Sequence, residues 1–176
     1  SPPEEMNEPG SPIDFLRRVS ADARNSSDAI RKAVQGYRPR ADYPAGNRLG
    51  ADLRTAAGLI AAGLPTRIYY VSLGGFDTHA NQRPTHDNLM RVFSQGVAAF
   101  LKDLKAQGLL HRVVVLTFSE FGRRVAENGS RGTDHGVAAP MFLFGSRVRG
   151  GLHGRPPSLT ELVGGDLAMT VDFRRV

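Results

Sequence analysis

The chain has 176 residues, 40% of them hydrophobic and 23% charged, with a formal net charge of +6 and no cysteine. That length suits one domain with a sizeable core, and the missing cysteine excludes disulfides and thiolate zinc sites, leaving histidine and carboxylate as metal ligands. Basic residues scattered from Arg17 to Arg175 and only 7% aromatics argue against a base-stacking nucleic-acid binder, and no apolar run approaches the roughly 18 residues of a membrane span.

Residues 1–10 are rich in Pro and Glu and read as a disordered stretch or linker remnant, without signal-peptide features. Ser11-Pro12-Ile13-Asp14 reads as a helix start, with Ser11 as cap and Pro12 in the first turn. The helix should run to about Gly36, with Asn25-Ser26-Ser27 as a point of breakage. Asn47 can cap a second helix whose Leu49, Leu53, Ala56 and Ile60 share one face; Gly63 and Pro65 end it. Residues 67–73 (RIYYVSL) read as a strand. A third helix follows over residues 84–107, where Leu89, Phe93, Val97, Phe100 and Leu104 recur at the helical period.

Residues 112–118 (RVVVLTF) read as a second strand, and the continuous apolar run predicts burial on both faces, as in a parallel sheet. Strand, helix and strand form a βαβ unit with a right-handed crossover. The expected architecture is an α/β three-layer sandwich with a mainly parallel sheet. Both strands then end at one sheet edge, where open α/β sheets hold ligands. Residues 139–145 (APMFLFG) are a third strand, expected to start at that edge and run antiparallel. Its entry is a Gly-rich connection with no helical pattern, carrying Asp134 and His135. Beyond Gly150-Gly151 the chain is rich in Gly and Pro, with a short helix at residues 159–162.

Five histidines are present, and two of them, His79 and His135, lie close to aspartates in Gly-flanked loops at strand ends. Asp77, His79, Glu120, Asp134 and His135 together offer imidazole nitrogen and carboxylate oxygen, the donors a divalent metal such as zinc takes. Glycines 74, 75, 122, 132 and 136 allow close backbone approach. Taken alone, an Asp-X-His is more often a turn than a ligand pair; convergence on one edge is what favours a metal site. His86, His111 and His153 read as capping, structural and surface residues. Arg123 either pairs with a phosphate or sulfate oxygen or neutralises Glu120.

The runs GGFDTH (74–79), LTFSEFGRRVAENGSRGTDHG (116–136), PMFLFGSRVRGG (140–151) and GDLAMTVDFRRV (165–176) resemble the bacterial family known as domain of unknown function 1501. That likeness covers residues 45–176. The family is related to the alkaline phosphatase and sulfatase superfamily, which implies a doubly wound core, divalent metal (zinc, calcium or manganese) and a small anionic ester substrate. It also implies a periplasmic or exported location, for which this chain shows no signal.

By the same resemblance, Asp77 and His79 match the superfamily's first Asp/His metal pair, at tighter spacing. His135 resembles the later histidine that returns to that metal, and Asp134 is a ligand or an orienter of an imidazole. Ser119-Glu120-Phe121-Gly122 stands where the superfamily has Ser-Asp-His-Gly, so Glu120 supplies the carboxylate and Phe121 removes a ligand. The superfamily's nucleophile lies in an N-terminal part not recognised here, which implies a partial domain over residues 11–176 with no nameable nucleophile. The leading expectation is a metal-dependent hydrolase of phosphate or sulfate esters. The alternative is a non-catalytic binding or assembly protein with a degenerate metal site.

Overall fold

The computed structural model describes residues 11–176, so the linker reading of residues 1–10 lies outside it. Helix α1 (Pro12–Gly36) begins where its sequence predicts, the Ser11 hydroxyl accepting from the Asp14 N–H at 3.2 Å. It runs unbroken through Asn25-Ser26-Ser27, whose side chains are exposed. Helix α2 (Arg48–Ala61) is capped by Asn47, whose Oδ1 accepts from the Gly50 N–H at 2.8 Å. The same Asn47 donates from Nδ2 to the Val92 carbonyl at 2.8 Å, tying the cap to helix α3 (Gln82–Ala106).

The predicted apolar faces meet. Leu49, Leu53, Ala56 and Ile60 of α2 are buried with Val97, Phe100 and Leu104 of α3, and Phe93 packs at the margin. Complete burial of a leucine such as Leu104 contributes about 2–3 kcal/mol. Beside it sits the fully buried Asp103. Its carboxylate accepts from Tyr37 Oη at 2.6 Å, the Arg40 N–H at 2.7 Å, Tyr43 Oη at 2.9 Å and Gln107 Nε2 at 3.0 Å. Four donors satisfy a charge that would otherwise be prohibitive there. They also fasten the α1–α2 connection to α3.

The sheet differs from expectation. Among the described residues there are two small antiparallel ladders and no parallel pairing. Strand β1 (Val115–Leu116) pairs with β4 (Leu143–Phe144), so the antiparallel return is present in miniature. Strand β2 (Gly122–Glu127) pairs with β3 (Thr133–Gly136). The three-layer, mainly parallel sandwich is therefore wrong for this structure.

Two physical reasons explain the error. Residues 67–73 belong to no strand, yet they pack Tyr69, Val71 and Leu73 on the helical core, while Ile68 and Tyr70 stand 86% and 71% exposed. Apolar and β-branched composition describes one segment, whereas a ladder needs a second in register. The Val113–Leu116 run also alternates, with Val113 and Val115 on the core and Val114 and Leu116 outward. Helices cover one face of this layer only, because α1 packs on α2 instead of crossing to the far side.

Candidate metal centre

The site is assembled by the β2–β3 hairpin reaching across to the loop before α3. Asn128 makes the hairpin's turn, its Oδ1 accepting from the Ser130 N–H at 2.9 Å and the Gly132 N–H at 3.1 Å. The carbonyls of Ser130 and Arg131 then accept from the Asn81 and Gln82 N–H groups, each at 3.0 Å, satisfying donors at the start of α3. Gly132 presses against the loop there: a Cβ in its place would lie 2.3 Å from the His79 carbonyl carbon and oxygen. Only a residue without Cβ permits that approach.

This docking brings His135 beside the Asp77–His79 loop. Asp77 Oδ1 lies 2.7 Å from His135 Nε2 and 2.9 Å from His79 Nε2. One ligand atom from each of the three lies within 4.8 Å of the other two. The imidazole of His79 turns its other nitrogen, Nδ1, toward Asp134 Oδ1 at 3.6 Å. Asn128 Nδ2 donates to that same Asp134 oxygen at 3.3 Å and to the His79 carbonyl at 3.1 Å. Asp134 is thus placed behind His79, as carboxylates stand behind metal-binding imidazoles to set their tautomer.

Electrostatics follow from these contacts. The hydrogen bond with His135, reinforced by the charges of both imidazoles, holds the Asp77 carboxyl below the usual carboxylate range. The hydrogen bond from Asn128 does the same for Asp134, with His79 and Arg124 adding to it. Both aspartates are therefore ionised at neutral pH and able to bind a cation.

The other residues singled out from the sequence fall elsewhere. Glu120 is exposed and outside the three-residue group. Arg123 directs its guanidinium to the backbone carbonyls of Thr133 and Phe76. Phe121 lies flat against the His135 imidazole, ring centroids 3.9 Å apart and planes 9° from parallel. His86 stands edge-on to Phe76 at 6.1 Å, and His153 bonds the Arg149 carbonyl at 2.8 Å. Asn128, the hub of the hairpin turn, has no place in the sequence reading, although Asn128-Gly129 is a hairpin dipeptide.

The donor set can be tested against candidate ions. Tetrahedral zinc with bonds of about 2.0 Å sets neighbouring ligand atoms roughly 3.3 Å apart. The two aspartate–imidazole pairs, at 2.7 and 2.9 Å, reach that by opening about half an ångström, and the imidazole nitrogens, within 4.8 Å of each other, close onto the ion by rotation of their exposed side chains. Two nitrogens and one carboxylate suit zinc or manganese better than calcium, which takes six to eight oxygens.

No helix among the described residues is long and apolar enough to cross a membrane. No curated protein and no solved structure matches the chain. A family does: residues 19–164 match the one described as "Protein of unknown function (DUF1501)". The match begins well before residue 45, where the motif likeness starts, and takes in most of α1. The chain belongs to that family.

Proposed function

We propose that Asp77, His79 and His135 hold one divalent ion, zinc by donor chemistry, in a centre that hydrolyses small phosphate or sulfate esters. The observation that carries this is the meeting of the three ligand atoms within 4.8 Å from two separate chain segments. Three protein ligands leave a tetrahedral ion one open position, the pattern of catalytic and not structural zinc. When bound, such an ion supplies Lewis-acid activation of water and of the ester. The chain's own part is orientation: the Asp134 carboxylate stands 3.6 Å from His79 Nδ1, where its charge favours the proton on that nitrogen and leaves Nε2 to face the ion. The likeness of Asp77, His79 and His135 to the metal residues of phosphatases and sulfatases supports the ester class.

Metal analysis of the purified protein tests this, together with turnover of an aryl phosphate and an aryl sulfate. One equivalent of metal is expected, with at least a hundredfold weaker binding and lost turnover in His79→Ala and His135→Ala. Metal content unchanged in both variants would sink the assignment. A second reading, a non-catalytic binding or assembly protein with a degenerate site, is favoured by one observation. The side chains of Asp77, His79 and His135 are 64%, 47% and 45% exposed, not shut in a water-excluding cleft. Metal bound without turnover of either ester would select it.

A further inference from the structure

Three contacts of one side chain converge on the metal centre, and the ester-binding role suggested for Arg123 does not use them. Its Nη1 donates to the Thr133 carbonyl and its Nη2 to the Phe76 carbonyl. Those carbonyls belong to the residues immediately before Asp134 and Asp77. The same Nη2 lies 3.4 Å from Thr78 Oγ1, between Asp77 and His79. Arg123 therefore joins the two segments that carry all three ligands. The guanidinium carbon also stands 5.1 Å from the centre of the Phe121 ring, and Phe121 in turn lies flat on His135. Arg123 is also the register partner of His135 across the β2–β3 ladder.

We infer that Arg123 and Phe121 are positioning residues of the metal centre: Arg123 fixes the spacing of the ligand loops, and Phe121 fixes the plane of the His135 imidazole. This rests on the metal reading above. Two features of the chemistry make it specific. A guanidinium is a planar fork that reaches two carbonyls at once, while an ammonium is a point charge on a flexible stem. The guanidinium makes a cation–π contact with the phenyl ring, and the phenyl ring makes a flat aromatic contact with the imidazole, which holds the plane in which Nε2 meets Asp77. The phenylalanine at 121 thus has a use at the site that ligand counting misses.

The test follows cobalt(II) and zinc binding to wild type, Arg123→Lys, Phe121→Leu and Phe121→Tyr, with the visible cobalt spectrum as the geometric readout. Arg123→Lys and Phe121→Leu should bind about 10- to 100-fold more weakly, with an altered cobalt spectrum, as when partners behind metal ligands are lost. Phe121→Tyr keeps the ring and should stay within about threefold of wild type. In the metal-free protein, the His135 ring protons should resonate upfield under the Phe121 ring, and Phe121→Leu should remove that shift. This measurement holds even if Arg123→Lys fails to fold. Wild-type affinity and spectrum in both weakened variants, or no upfield shift in wild type, overturns the role. If wild type itself takes up no metal, the metal reading falls and this role with it. If wild type binds metal and the variants match it, this role alone falls.

Discussion

The helical half of this protein and the half that carries Asp77, His79 and His135 are held by different forces. Helices α2 and α3 share a continuous apolar core, with Ala57, Leu104 and Asp103 completely buried. The residues around Asp77 and His135 have little apolar burial and depend on hydrogen bonds radiating from Asn128 and Arg123. Apolar burial is non-directional and accumulates with area, so it makes the scaffold. Directed hydrogen bonds contribute less net stability but set geometry, which is what ligand atoms require. Stability and metal affinity should therefore be separable by mutation.

The largest expected effect is on the scaffold. Leu104→Ala should lower unfolding stability by about 2–5 kcal/mol, seen as a lower urea midpoint. Zinc affinity of the molecules still folded should stay near wild type. A matching fall in both would mean that the two halves are one cooperative unit.

Next comes Asp103. Burial pushes its carboxyl up, but the hydrogen bonds from Tyr37, the Arg40 N–H, Gln107 and Tyr43 outweigh it, and the net displacement is downward. A depressed folded value means that the stabilisation is present above the unfolded value of 3.8 and is lost as pH falls through the folded one. Asp103→Asn should cost about 2 kcal/mol at neutral pH, because an amide lacks the charge those donors serve. Its urea midpoint should fall less than wild type's as pH drops below about 4. Parallel pH profiles for the two proteins would remove Asp103 as the acid-sensitive fastening.

The smallest effect should be Asp134→Asn at the other half. It keeps the shape behind His79 and removes the charge, so zinc binding should weaken about tenfold, or about 1.4 kcal/mol. The urea midpoint of the metal-free protein should hardly move. An unchanged zinc titration would show that Asp134 does not orient His79.

Much of the scaffold was legible from local signals. Ser11 and Asn47 sit where caps are needed, and the apolar spacing on α2 and α3 names the residues that become buried. Three of the five residues proposed as ligands meet, and Asp134 stands behind one of them. Glu120 looked equivalent to Asp77 because both follow an apolar segment at its end. What separates them is the hairpin that begins at Gly122, which the Gly-rich composition disguised as a loop although Asn128-Gly129 marks its turn.

The sequence by itself determined the helices, their buried faces and the donor types, since capping and periodicity act within a few neighbouring residues. The tertiary structure alone decided that, among the described residues, 67–73 lie on the core without a strand partner, that β1 pairs with β4 and no other strand, and that His135 lands on Asp77. Those outcomes depend on register between distant segments and on one close approach at Gly132. No local pattern encodes such meetings, because each is settled by the shape and hydrogen bonding of both partners together.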